Sequence, residues 1–217
     1  LIILGITAVI TNVAIQKSTL YYEIPFMIAI TVILMVFGVT DASITWGEGV
    51  VFWILFIGFL VYLFIMSKKG GAQEEETAKD MPVWKCLLFM VLGGILVVKG
   101  SDFAVSGASE IARFFGMSER FIGLTIVAFG TSLPELVTSV TAARKGNAGI
   151  AIGNIVGSNI FNILFIIGTV ALICPVPFEK MFLVDTAIAV FSGVLLWIGT
   201  IRHKELRKPC GIFMLIS

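Results

Sequence analysis

Residues 123–168 read GLTIVAFGTSLPELVTSVTAARKGNAGIAIGNIVGSNIFNILFIIG. Two apolar runs, each long enough to cross a bilayer as a helix, carry polar inserts: GTSLPE at 130–135 and GNIVGSNIFN at 153–162. Lipid gives no partner to a carboxylate, hydroxyls or three asparagines, so these residues serve packing between helices or a function.

The rest of the chain supports the membrane reading. Hydrophobic residues make up 58% and charged residues 13% of 217, with a mean hydropathy of +1.05. A soluble domain is about a quarter charged. At about 20 residues per span, the length accommodates about seven or eight spans. Apolar runs fall at 1–11, 24–40, 49–66, 83–110, 119–143, 147–173 and 181–201, with a stub from 211. They are continuous and do not alternate in polarity, so they read as helices and not as barrel strands. The expected fold class is an all-α polytopic membrane helical bundle.

The net charge of +1 implies no nucleic-acid partner. Cys86, Cys174 and Cys210 have neither metal nor disulfide spacing and read as small packing residues. His203 lies among Arg202, Lys204, Arg207 and Lys208, in what reads as a solvated loop. Nothing in the chain has the form of a catalytic nucleophile, a phosphate loop or a haem motif, so neither an enzyme nor a resident cofactor is expected.

Residues 67–82, SKKGGAQEEETAKDMP, form a polar linker that divides the chain into 1–66 and 83–217. Counting Lys and Arg over alternate loops gives eleven on one side (Lys17, Lys68, Lys69, Lys79, Lys85, Arg144, Lys145, Arg202, Lys204, Arg207, Lys208) and three on the other (Arg113, Arg120, Lys180). That bias places the linker and the 143–147 turn in the cytoplasm. Trp46, Trp84 and the Tyr21–Tyr22 pair fall near span ends, where amphipathic rings anchor.

A repeat is legible. LIILGITAVITNVAIQKSTL (1–20) over LFIIGTVALICPVPFEKMFL (164–183) matches at eight of twenty positions: Leu1, Ile3, Gly5, Ala8, Ile10, Val13, Lys17 and Leu20. Further on, Glu23 meets Asp185 and Gly49 meets Gly211. The charge count gives the two segments opposite orientations, which is the mark of an inverted-topology repeat and of many secondary transporters. Residues 1–66 then form the C-terminal part of the first repeat, and 83–217 the second, with its last helix incomplete. The stretch 83–163 has no copy ahead of residue 1, so repeat symmetry expects about 80 further N-terminal residues. Residue 1 is not Met and no basic region precedes the first apolar run, which therefore does not read as a signal peptide.

In the first insert, Ala128, Thr131, Ser132 and Glu135 are spaced i, i+3, i+4 and i+7 and share a face on a continuous helix. Pro134 removes the N–H that would bond the carbonyl of Gly130. In the second, Asn154, Ser158 and Asn162 are spaced i, i+4, i+8, and Gly153 and Gly157 form a GxxxG that allows close helix approach. Two oxygen-lined faces joined by a short turn suit a hard cation. Bland readings exist for each residue. Proline in a membrane helix is often a kink, hydroxyls often bond back to their own helix, and asparagines often hold helices together. Glu135 is harder to explain blandly, because a carboxylate inside a span is costly and usually faces a pathway. Asn159, off the stripe, reads as packing. Lys99 and Asp102, three apart on one helix, read as a self-neutralising pair; Glu110, Glu119 and Glu74–Glu76 read as solvated surface.

The motif pair GLTIVAFGTSLPELVTSV and GNAGIAIGNIVGSNIFNILFIIG resembles the second alpha-repeat of the sodium/calcium exchanger family of cation/calcium antiporters, in its prokaryotic form. The resemblance covers about residues 98–170. It implies an inverted-repeat antiporter fold, of which this chain is a part, in the plasma (inner) membrane. It implies calcium and sodium as transported ions and Glu135 as their shared acidic ligand. Thr131 and Ser132 would flank Glu135, with backbone oxygens at Ala128 and Thr131 also used, and Ser158 and Asn162 would come from the facing helix. Some members carry Asp where this chain has Asn162, so ion stoichiometry and potassium dependence stay open. The partner glutamate would lie on helices ahead of residue 1. The expected activity is calcium/sodium antiport by alternating access. The rivals are a proton/calcium exchanger of the same superfamily and a non-transporting channel or scaffold subunit.

Overall fold

In the computed structural model, residues 2–10, 13–70, 82–201, 205, 206, 208, 211, 212 and 214 are described. The expectations for the remaining linker residues, for Arg202–Lys204 and Arg207, and for Cys210 lie outside them.

The apolar runs are helices. In chain order they are α1 (Ile2–Ile10), α2 (Ile24–Asp41), α3 (Trp46–Gly70), α4 (Val83–Phe114), α5 (Glu119–Ile122), α6 (Ala128–Thr131), α7 (Leu133–Arg144), α8 (Ala148–Phe161), α9 (Gly168–Ile173) and α10 (Lys180–Ile201). Wider, π-type turns stand at Thr19–Glu23, Gly123–Val127 and Asn162–Ile167. Among the described residues, six stretches are long and apolar enough to cross a membrane, from Thr19–Asp41 to Lys180–Ile201. The protein is a multi-pass membrane protein with an all-α bundle.

Two short turns set up the helix pairs by the same chemistry. After α4, the N–H of Gly116 bonds to Arg113 and that of Met117 to Ala112; after α7, Gly146 bonds to Ala143 and Asn147 to Ala142. Both glycines have positive φ, 75° and 84°, which is the αL helix stop that only a residue without a β-carbon adopts freely. Ser118 then caps α5 by accepting from the N–H of Phe121 at 3.2 Å.

The chain forms two compact units. The smaller, 73–138, contains α4 to α6 and the start of α7. In it Gly130 is pressed against Val105 of α4, so that α4 lies directly on the 123–131 segment. Lys99 and Asp102 face each other at 3.9 Å, both well exposed, as their spacing leads one to expect. The guanidinium of Arg113 grips Glu119 through two hydrogen bonds, 2.7 and 3.1 Å, and clips the α4–α5 turn.

The larger unit, 1–72 with 139–217, holds the buried core, which includes Leu4, Leu20, Ile24, Phe52, Ile152, Ile160 and Leu164. Here α2 packs on α10 and α3 on α9. Two-residue strands, unforeseen in the sequence, pair antiparallel at the helix ends: Val13–Ala14 (β1) with Glu205–Leu206 (β4), and Ser43–Ile44 (β2) with Val176–Pro177 (β3). Their registers are equivalent. Val13 opposes Leu206 as Val176 opposes Ile44, and Ala14 opposes Glu205 as Pro177 opposes Ser43. Val176 lies 163 positions after Val13, and Leu206 162 after Ile44. A reciprocal exchange of this kind is what a two-fold relation between repeats requires.

Three expectations change. Cys86 and Cys174 are exposed, so burial in a core is not what places them. Beta-carbons added to Gly153 and Gly157 would meet nothing within 4 Å among the described residues, so the GxxxG makes no close helix crossing among them. Finally, 119–143 is not one helix: it widens at Gly123–Val127 and breaks at Ser132.

Candidate functional site

The break at Ser132 positions Glu135. Helix α6 ends at Thr131, and Ser132 (φ −94°, ψ −2°) turns the chain, its N–H donating to the carbonyl of Phe129 at 3.0 Å. Helix α7 restarts at Leu133, and Pro134 occupies its second position, where a missing N–H costs nothing. The proline therefore begins a helix and does not kink one. Glu135 follows in the first turn of α7, half-buried, at the helix end that favours a negative charge. The spacing of Ala128, Thr131, Ser132 and Glu135 thus runs across the junction of α6 and α7.

Thr131 and Ala128 are exposed, and Ser132 is half-buried. The Thr131 hydroxyl donates to the Ala128 carbonyl at 2.8 Å, and that of Thr138 donates to the carbonyls of Pro134 and Glu135 at 2.9 and 3.1 Å. A hydroxyl whose proton is spent on its own backbone still presents oxygen lone pairs. These residues belong to the smaller unit.

Asn154, Ser158 and Asn162 belong to the larger one. Asn154 donates from its amide to the Ser139 hydroxyl at 3.2 Å, and Ser139 donates to the carbonyl of Ala151 at 3.3 Å. Ser139 is fully buried, so this bracket ties the second half of α7 to α8. The half-buried Ser158 donates to the Ile155 carbonyl at 3.1 Å. Asn162 ends the regular turns of α8, opens the wide turn Asn162–Ile167 and is exposed. Wide turns of this kind inside helices recur at functional sites. Asn159, off the stripe, donates to its own helix at Ile155, 2.8 Å.

Ser139 stands outside both polar inserts. Its signal is present in the sequence, four positions after Glu135 on the same helix, but a serine among Val, Thr and Val residues looks like any back-bonded hydroxyl. Thr45 and Glu48 are a second omission. Glu48 accepts from the Thr45 N–H at 2.6 Å and caps α3, a T-x-x-E pattern visible in the sequence.

Chemically, the candidates supply one carboxylate, two amide oxygens, three hydroxyls and a backbone carbonyl. Among the described residues no group of three or more His, Cys, Asp or Glu comes together. The donor set is hard, mostly neutral and suited to an ion that must be released again.

The family model described as sodium/calcium exchanger protein matches residues 85–217. A putative antiporter, CaxA, of Alkalimonas amylolytica is 38% identical over 81% of this chain and 57% of its own length. An uncharacterized membrane protein of Methanocaldococcus jannaschii is 36% identical over 99% of this chain and 68% of its own. The sodium/calcium exchanger MaX1 of Methanosarcina acetivorans is 48% identical over 51% of this chain and 32% of its own. Among solved structures, the sodium-calcium exchanger NCX_Mj, soaked with sodium and strontium, superimposes with a TM-score of 0.78 at 32% identity, over 99% of this chain and 68% of that one. Where most of the chain aligns, it thus spans about 57–68% of the length of these relatives.

Proposed function

Since this chain belongs to the sodium/calcium exchanger family, we propose that it works in a multi-pass antiporter that exchanges calcium for sodium by alternating access. Glu135 is the acidic ligand that both ions share in turn. Thr131 and Ser132, with the carbonyl of Ala128, supply neutral oxygens beside it, and Ser158 and Asn162 supply oxygens from the α8 segment. Asn154 positions α8 through Ser139 and lies outside the first layer of ligands.

The observation that carries this reading is the helix break at Ser132. It starts a new helix with Glu135 in its first turn, on a chain whose relatives are named as exchangers and antiporters. One carboxylate with neutral oxygens is a weak calcium shell, because affinity follows ligand charge and number. The shell is completed by a symmetry-related copy of the 128–135 motif, brought by helices of the same protein outside these residues. Alternating access comes from one helix pair sliding or rocking against the rest, with the 67–82 linker in the cytoplasm.

The test is calcium uptake into vesicles carrying the whole protein, with sodium or proton as the driving gradient. Uptake that follows an outward sodium gradient and ignores a proton gradient supports the reading. Uptake driven only by protons overturns the sodium assignment.

A further inference from the structure

Within the larger unit, Trp53 of α3 donates its indole N–H to the Thr169 hydroxyl at 3.2 Å, between residues 116 positions apart. Both side chains are half-buried. Thr169 is the second residue of α9, just past the wide turn Asn162–Ile167. The Trp53 ring also lies 5.2 Å from that of Phe165, inside the turn, and Phe165 stacks on Phe161 at 4.7 Å with their planes 22° apart. Phe56 of α3 completes the set, 5.4 Å from Phe165 and 5.9 Å from Phe161. A β-carbon on Gly168 would stand 3.1 Å from the Phe52 β-carbon and 3.4 Å from Trp53 Cδ1, so α3 lies directly on the start of α9. Helix α3 thus touches the wide turn on both sides of Asn162 in the chain and again at its end.

The repeat supplies an internal control. Gly5 matches Gly168 and Gly49 matches Gly211, and Gly211 rests on Gly5 as Gly49 rests on Gly168. At the same offsets Ile6 matches Thr169, Ile2 matches Phe165 and Leu215 matches Trp53. None of these three has a ring or a side chain that can hydrogen-bond. The glycine crossing therefore forms in the other copy without a Trp–Thr bond, and the bond serves something other than making the crossing. What lies beside it in this copy is the wide turn that begins at Asn162.

Wide turns are rare in helices, and one extra residue rotates the helix before it against the helix after it by about 100°. The direction of Asn162 relative to α9 thus depends on the turn keeping its width. A tryptophan N–H inside a protein is a directional donor, and its ring makes a stiff wedge. We propose that Trp53 is a positioning residue for ion binding: through Thr169 and Phe165 it fixes the wide turn, and so sets where Asn162 offers its amide oxygen. This rests on the exchange reading, in which Asn162 is a ligand. Groups one layer behind an ion's ligands act in this way, by orienting the ligands they hold.

The test uses the whole protein in vesicles and reads calcium uptake under a sodium gradient and, separately, under a proton gradient. Thr169→Val removes the acceptor at nearly equal volume, and Trp53→Phe removes the donor but keeps a ring beside Phe165. Each should raise the calcium concentration for half-maximal uptake about three- to tenfold, the effect of one lost hydrogen bond. The two together should do no more than either alone, since they share that bond. Thr169→Ser keeps the hydroxyl and should behave as the wild type. In an Asn162→Ala background neither change should shift the value further. An unchanged half-maximal concentration in both variants overturns the proposal, even if they unfold earlier, and so does a full additional shift on top of Asn162→Ala. Uptake driven by protons alone overturns the sodium reading, while the same variants still decide this one. No uptake by the wild type under either gradient overturns both.

Discussion

Gly49 rests on the backbone of Gly168. A β-carbon on Gly49 would stand 3.0 Å from the Gly168 carbonyl oxygen, 3.1 Å from the Ala171 β-carbon and 3.2 Å from the Leu172 nitrogen. Gly211 makes the same contact with the other copy: its β-carbon would stand 2.9 Å from the Gly5 oxygen, 2.8 Å from the Ala8 β-carbon and 3.3 Å from the Val9 nitrogen. Gly5, Ala8 and Val9 precede Gly168, Ala171 and Leu172 by 163 positions each. One helix crossing is thus built twice and exchanged between the repeats, and a methyl group would push it apart at either place.

Gly49→Ala should therefore destabilise the protein by about 1–3 kcal/mol, as overpacking against backbone does. Gly47→Ala, two residues away with nothing among the described residues within 4 Å of its β-carbon, should change stability by no more than about 0.5 kcal/mol. Thermal unfolding of the two variants in one detergent compares them. Equal shifts would mean that the crossing tolerates a methyl group.

Ser139→Ala should cost about 1–3 kcal/mol, because it leaves the half-buried Asn154 amide short of the acceptor it uses. Asn154→Ala in the same background should then add less than it costs alone, since the two share one bond. Additive losses would show that the bracket between α7 and α8 is not coupled.

How much of this could be read from the sequence depends on what each residue reports. Long apolar runs show spans, because lipid leaves the backbone no alternative to a helix, and each described span lies within a few residues of its run. Gly5, Ala8 and Gly49 were legible as a repeat because close packing tolerates only small side chains there. The break at Ser132 was half legible. Pro134 announced a disturbance, but a proline inside a helix and one that begins a helix look alike in sequence. The paired strands at Val13–Ala14 and Ser43–Ile44 were invisible, because two residues carry no periodicity and their partners lie more than a hundred positions away. The wide turn at Asn162 has no compositional mark at all.

Thr131→Val keeps the shape and removes an oxygen whose proton is already given to Ala128. If that oxygen faces the ion, the sodium concentration for half-maximal exchange should rise about three- to tenfold, as the loss of one ligand in a loose shell implies, with little change in unfolding temperature. A variant that unfolds earlier but keeps its sodium dependence would make Thr131 a helix-bonding residue only.

Asn162→Asp adds a second carboxylate to the proposed shell. It should tighten calcium relative to sodium, since divalent affinity grows with ligand charge, and calcium-competition curves at several sodium concentrations would register the change. Superimposable curves would place Asn162 outside the shell.

In the proposed exchange Glu135 carries the ion charge. Its most direct test is sodium-gradient-driven uptake of radioactive calcium by vesicles containing the whole protein, wild type beside Glu135→Gln. The glutamine keeps the volume and removes the charge that offsets cation dehydration. Gradient-dependent uptake is expected of the wild type and a loss of at least about a hundredfold in the variant, from removal of a charged ligand in a low-dielectric site, with the variant still inserted and monodisperse. Uptake by Glu135→Gln at the wild-type rate would contradict it.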